Sequence, residues 1–230
     1  MAKKRKIAAF DIDGTVFRAS LLLELVDGLI DAGAFPVKTQ KEFEREHERW
    51  LDRKGRYEDY IDKVVRVFAR RVKGMPLTVG QKVARRIIAE KKDRTYRYTR
   101  DLVKKLRRQG YFLVAISHSP KFIVGPYGRK LGFGKVYGSI YGTDDHGRFT
   151  GRVDYADMIQ DKAAMFRHVM EKWNGDPKMS IAVGDTESDI PMLRLAAKPL
   201  AFNPNKKLYQ YAKKHGWKVV VERKDVMYEI

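Results

Sequence analysis

The chain has 230 residues, enough for one large core with a smaller attached module. With 43% hydrophobic and 33% charged residues it is a soluble, folded protein and not a disordered one, and no stretch reaches the roughly 18 apolar residues that cross a bilayer, so no membrane span is expected. Cysteine is absent, which excludes a disulfide framework and a thiolate metal site, and the default location is cytoplasmic.

The net charge is +19, and the excess is uneven: residues 41–110 hold 23 Lys and Arg against 11 Asp and Glu, and Lys63 to Ala89 contains eight basic residues and no acidic one. Such a field attracts polyanions, whether nucleic acid, an anionic surface or phosphorylated metabolites. A solvated helix surface explains the same run equally well. The basic start MAKKRK is followed by only four apolar residues before an aspartate, which is not the pattern of a signal sequence.

The first element is a strand. Ile7 to Phe10 is a short continuous apolar run, the mark of a buried parallel strand, and it delivers Asp11 and Asp13 before Gly14-Thr15 turns the chain. In open α/β sheets the chemistry lies just beyond the carboxyl ends of such strands. Leu21 to Ile30 then reads as a helix, with Pro36 as a break shortly after it. Lys38 to Lys54 is densely charged and mostly helix-forming, with Phe43, Trp50 and Leu51 as its sparse apolar side. Tyr57, Tyr60, Ile61, Val64, Val65 and Phe68 recur at three- and four-residue spacing and predict an amphipathic helix ended by Gly74 and Pro76. Val79, Val83, Ile87 and Ile88 predict another. Tyr98, Leu102, Val103 and Leu106 predict a third, closed by Gly110. Residues 17–95 thus read as helices without strands, inserted after the first strand.

Strand character returns at Tyr111 to Ile116, immediately before Ser117. Val136 to Tyr141 and Phe149 to Val153 flank a Thr143-Asp144-Asp145-His146-Gly147 turn and predict a hairpin. Asp161 to Trp173 reads as a helix, Ser180 to Val183 as a strand running into Gly184-Asp185, and Pro199 to Phe202 and Val219 to Val221 as further strands. The alternation predicts an α/β fold: a Rossmann-like parallel sheet, with helices on both faces, formed by residues 1–16 and 96–230.

Several strand ends and helix starts carry polar groups: Asp11 and Asp13, then Ser117, then Lys162, then Asp185 with Asp189. Singly each has a plain structural reading: Ser117 a helix cap, Lys162 a surface lysine, Asp185 and Asp189 a turn residue and an N-cap. Their order after apolar runs is what joins them. DIDGTV (11–16), FLVAIS (112–117), Lys162 in QDKAAM and GDTESD (184–189) together resemble the four motifs of the haloacid dehalogenase (HAD) superfamily. The helical insert, SHSPKFIVGPYGRKLGF and GRFTGRV resemble its phosphoserine-phosphatase-like branch, in which such helices form a cap. The resemblance covers essentially the whole chain.

What this resemblance implies is a Mg²⁺-dependent phosphomonoesterase acting on a small phosphorylated metabolite. Asp11 would be the nucleophile, forming an aspartyl-phosphate, and Asp13 the acid and base. Asp11, the carbonyl of Asp13, and Asp185 would hold Mg²⁺, which prefers carboxylates, carbonyls and water. Ser117 and Lys162 would bind the phosphoryl oxygens, with Ser188 and Asp189 supporting the metal ligands from behind. The chain departs from phosphoserine phosphatases in two places: Ser20 stands where an acid reading the substrate's amino group is expected, with Glu24 one turn on as a substitute, and Ser188 replaces the usual asparagine. Phosphoserine is therefore one substrate among several, and transfer to an alcohol is a close relative of hydrolysis that the motifs also allow. The rival from another class is a basic nucleic-acid-binding module on an idle HAD scaffold. Basic residues interleave with aromatics at Tyr96 to Arg100, which otherwise pack in the cap or at its hinge. No nucleic-acid recognition motif supports that rival, and oligomeric state is not written in the sequence.

Overall fold

The computed structural model describes residues 3–155 and 161–230; Met1 and Ala2 of the basic start, and Gln160 of QDKAAM, lie outside them. The elements run β1 (Arg5–Phe10), α1 (Leu21–Asp31), α2 (Glu44–Leu51), α3 (Tyr57–Val72), α4 (Leu77–Lys91), α5 (Arg97–Arg108), β2 (Phe112–Pro120), α6 (Lys121–Lys130), β3 (Lys135–Thr143) and β4 (Phe149–Asp154). They continue with α7 (Lys162–Lys172), β5 (Gly175–Gly184), the single turn α8 (Ile190–Leu193), β6 (Lys198–Phe202), α9 (Lys206–Lys214), β7 (Lys218–Arg223) and β8 (Val226–Glu229).

The eight strands form one sheet in the order β4-β3-β2-β1-β5-β6-β7-β8. Pairing is parallel from β3 through β7, and only β4 and β8 at the edges are antiparallel. β1 is central, and successive residues alternate between two cores. Ala8 and Phe10 face the layer that contains α5 and α6, while Ile7 and Ala9 face α7 and α9 through Phe166, Val169 and Leu208. A strand buried on both faces needs apolar residues at every position, which is why KIAAF is legible as a strand at all.

Helices α1 to α4 stand between β1 and α5, with no named strand among residues 17–95. The two chain crossings that join them to the sheet lie side by side. Arg18 N donates to Arg94 O at 2.9 Å and Tyr96 N to Val16 O at 3.0 Å. The expected hairpin is β3–β4, and its tip is tied to the α3–α4 turn, where Gly74 N donates to Phe149 O and Phe149 N to Met75 O.

Several local expectations are corrected. Lys38 to Lys54 is not one helix: a 3₁₀ segment (Val37–Glu42) stops at Phe43, whose buried ring packs on Tyr60 at 6.0 Å, and α2 begins after it. Leu51, expected on the apolar side, is 57% exposed. β2 does not end before Ser117 but runs on to Pro120, which pairs with Ser139. Tyr96 and Tyr98, by contrast, pack as expected, both on Phe202 of β6 at 5.0 and 5.9 Å between ring centroids, at the joint between the crossing ribbon and the sheet. In the basic run, Arg70 and Arg71 pair with Glu42, and Arg86 donates to Gly28 O at 3.1 Å. No helix among the described residues is long and apolar enough to cross a membrane.

Candidate active site

The carboxyl ends of β1, β2 and β5 and the start of α7 bring six side chains together: Asp11, Asp13, Ser117, Lys162, Asp185 and Asp189. Asp11 follows β1 and is 4% exposed; its backbone N–H donates to Val183 O across the sheet. Lys162, 3% exposed, opens α7, where Asp161 caps the helix by accepting from Ala164 N. Its ammonium donates to Asp11 Oδ1 at 2.7 Å and to Asp189 Oδ1 at 2.6 Å. Asp189 is fully buried, and its other oxygen accepts the backbone N–H groups of Asp185 and Thr186 at 3.0 and 3.1 Å. Both its oxygens are therefore occupied. Asp185 lies open to the cavity, and among the described residues its carboxylate accepts a hydrogen bond from the Thr15 hydroxyl alone, at 3.0 Å.

Asp13 has a different environment. Its Oδ1 accepts from Leu21 N at 2.6 Å, at the start of α1, and its Oδ2 accepts from the Ser117 hydroxyl at 2.8 Å. Ser117 Oγ in turn accepts from Ser119 N, so Ser117 is not a helix cap but a strand residue aimed at Asp13. Ser188 is exposed, with its hydroxyl 2.8 Å from that of Thr186.

Electrostatically, the cluster carries too much negative charge. Burial pushes Asp11 up to about 7; Asp189 and Asp13 add to the effect, and Lys162 opposes it. Burial, then Asp11 and Asp189, raise Asp185 well above the carboxylate range. Burial raises Asp13 as well, against the hydrogen bonds from Leu21 N and Ser117. For Lys162, burial alone would favour the neutral amine, but Asp11 and Asp189 outweigh it and hold the charge. One ammonium cannot balance Asp11, Asp185 and Asp189, whose oxygens lie within 4.8 Å of one another. A hard divalent cation fits that donor set. With Asp189 fully engaged, the oxygens left for a cation are on Asp11 and Asp185.

A cavity of about 290 Å³ opens over this cluster. Its far wall comes from α3 through Tyr57, Ile61, Asp62 and Val65, with Leu22 of α1 beside them, and His118 and Ser119 complete it from β2. Helical spacing marks Tyr57, Ile61 and Val65 only as a packing face. Tyr57 is close enough for Asp13, Asp185 and Asp11 to reinforce the effect of burial in keeping its hydroxyl protonated. Thr15 is a further site residue that sequence reasoning misses: it orients Asp185 and is itself held through its carbonyl by the Thr99 hydroxyl at 2.8 Å. Ser20 caps α1 and lines the cavity. Glu24 does not substitute for it, because it is turned to Lys91 and Arg94.

The family model described as haloacid dehalogenase-like hydrolase matches residues 8–194. A Streptomyces azureus protein named for inhibition of morphological differentiation is 30% identical over 119 residues, 52% of this chain and 43% of that one. A histidinol-phosphatase of Neisseria meningitidis serogroup C is 28% identical over 126 residues, 53% of this chain and 56% of its own. The chain thus spans about half the length of these relatives. A solved structure of a phosphoserine phosphatase carrying a phospho-aspartyl intermediate analogue superposes with a TM-score of 0.66 at 20% identity, covering 97% of this chain and 96% of that one. That likeness shows the Rossmann-like fold. With the family model covering most of the sequence, the chain belongs to the haloacid dehalogenase-like hydrolases.

Proposed function

We propose that the protein is a Mg²⁺-dependent phosphomonoesterase that hydrolyses a small phosphorylated metabolite through an aspartyl-phosphate on Asp11. The observation that carries this reading is the buried Asp11–Lys162–Asp189 chain beside Asp185 and Asp13, under a cavity of metabolite size. The family membership and the phosphatase named among its relatives support it.

In this reading Asp11 Oδ1 stays on Lys162 while its other oxygen attacks phosphorus and the ester P–O bond breaks. The leaving oxygen takes a proton from Asp13, which burial keeps protonated more readily than an exposed carboxyl. The Asp13 carboxylate then removes a proton from water as that water attacks phosphorus, freeing phosphate and restoring Asp11. Ser117 holds Asp13 in line for both transfers, and Lys162 offsets charge gathering at the phosphoryl group. Asp11 and Asp185, with the Asp13 carbonyl, would hold the cation, which would polarise a phosphoryl oxygen. Thr15 and Asp189 keep those ligands aimed. Helices α1 to α4 act as the cap, and the ribbon of residues 16–18 and 94–96 as its hinge.

The test is hydrolysis of p-nitrophenyl phosphate by the purified protein. Mg²⁺-dependent turnover, stopped by EDTA and by Asp11→Asn, is expected. No metal-dependent turnover across a broad panel of phosphate esters would rule the reading out.

A further inference from the structure

The floor and roof of the cavity differ in character. The floor is the carboxylate cluster with Lys162, and Lys162 is the one lysine or arginine among the described lining residues, with His118 to the side. Its ammonium is committed to Asp11 and Asp189. A leaving group that carried a carboxylate would find no free ammonium or guanidinium there.

The roof is apolar at Leu22, Ile61 and Val65, aromatic at Tyr57, and anionic at Asp62. Asp62 is exposed and lines the cavity, and its carboxylate makes no hydrogen bond or ion pair with any described residue. The two other acids near the start of α3 are engaged: Glu58 accepts from Asn205, and Asp59 pairs with Arg56. What sets Asp62 apart from other exposed acids is its place on the cavity wall, in a chain where 48 Lys and Arg face 29 Asp and Glu. The charge of the whole molecule would draw in any anion, so this wall sorts the phosphate esters that arrive. A tyrosine ring and a carboxylate on one wall both favour a cation, and apolar neighbours favour a hydrocarbon body beside it.

Resting on the phosphatase reading above, we infer that the site selects phosphate monoesters of amine-bearing, apolar-bodied alcohols that lack a carboxylate, with Asp62 as the specificity-determining residue. Asp62 reads the leaving group and takes no part in the bond changes. Its contribution therefore falls mainly on KM.

The experiment compares three esters in Mg²⁺: phenylalaninol phosphate, its uncharged isostere 2-methyl-3-phenylpropyl phosphate, and O-phosphoserine, with p-nitrophenyl phosphate as the control for phosphatase activity. The amine ester should exceed the uncharged one at least about tenfold in kcat/KM, most of it in KM, and should exceed O-phosphoserine by more. Asp62→Asn should bring the amine-to-neutral ratio close to one, Asp62→Lys should invert it, and Asp62→Glu should restore much of it. No turnover of any ester, the control included, removes the phosphatase reading and the inference with it. Turnover of the control with a ratio near one in the parent protein, a preference for O-phosphoserine, or a ratio that Asp62→Asn does not move would overturn the inference alone.

Discussion

Lys162 Nζ stands 2.7 Å from Asp11 Oδ1, an ion pair sealed from solvent between residues 151 apart in the chain. The same ammonium reaches Asp189 at 2.6 Å, so one cation ties the end of β1 to the turn after β5. Removing one partner of a buried pair costs about 3–5 kcal/mol, because the other charge is stranded. Asp11 can escape part of that cost by taking a proton, so Lys162→Met should fall at the lower end, about 3 kcal/mol. Urea unfolding of the metal-free variant checks this. Turnover should fall at least about 100-fold, since the charge that offsets the phosphoryl group is gone. A variant with unaltered stability and turnover would mean that the pair is incidental.

The raised carboxyls make a signed prediction for the metal-free protein. Asp11 goes to about 7 through burial, reinforced by Asp189 and Asp13, and Asp185 rises for the same first reason. A carboxyl whose folded value lies above its unfolded 3.8 keeps its proton longer in the native state. Its stabilising contribution is complete below 3.8 and is lost as pH rises through about 7. A divalent cation binds the ionised carboxylates and displaces those protons, so its stabilisation grows over the same window. Melting temperatures measured in EDTA and in millimolar Mg²⁺ should therefore diverge from about pH 5 to about pH 8. The difference between the two series cancels the pH response of the other titrating groups. A constant gap across that range would contradict the assignment.

Gly14 and Gly33 form a natural pair for separating strain from function. Both have positive φ, +78° and +69°. A Cβ at Gly14 would overlap Asp185 Oδ2, whereas one at Gly33 would meet nothing within 4 Å. Gly33→Ala should cost only the left-handed backbone penalty, about 1 kcal/mol, with turnover intact. Gly14→Ala should carry a similar backbone cost and also push Asp185 aside. Divalent-cation affinity should drop at least about tenfold, and turnover should drop with it. Calorimetric titration with Mg²⁺ reads the first and steady-state kinetics the second. Equal behaviour of the two variants would show that the approach of Asp185 to Gly14 has no part in the site.

Legibility in the sequence tracks burial. β1, β2 and β5 each carry an unbroken apolar run (Ile7 to Phe10, Phe112 to Ile116 and Ile181 to Val183), because the sheet is covered on both faces, and the polar residues that end such runs stand out. That is how Asp11, Asp13, Ser117 and Asp185 are readable from the sequence alone. β8 has no such mark, since all four of its residues are exposed. α6 is hidden by Gly125, Pro126 and Gly128, which read as turn chemistry although the segment folds as a helix. The cavity wall is hidden for another reason. Helical periodicity reports which residues leave water, not whether they face a core or a ligand, so Tyr57, Ile61 and Val65 look like packing. Asp62, one residue off that stripe, looks like an ordinary surface acid.

Asn205 joins α3 to the catalytic end of the sheet and can be tested without disturbing either. Its Oδ1 caps α9 by accepting from Leu208 N at 3.0 Å, and its backbone N–H donates to Asp185 O at 2.8 Å. Its Nδ2 donates to Glu58 of α3 at 2.8 Å and to Glu187. Burial raises Glu58, and its contact with Glu187 adds to this, so the pair depends on the amide between them. Asn205→Asp keeps the helix cap, since aspartate caps as well as asparagine. It removes the bridging donor and sets a third carboxylate against the other two. The fold should persist while α3 loosens from the sheet. Amide exchange across Tyr57–Val72 should accelerate, and KM should rise several-fold with a smaller change in kcat, because the cavity wall moves and the carboxylate cluster does not. Asn205→Ala should show the same loosening plus the loss of the cap, about 1 kcal/mol more. If exchange in α3 stays at its parent rate in Asn205→Asp, the bridge does not hold the wall, and α3 is kept in place by its apolar face alone.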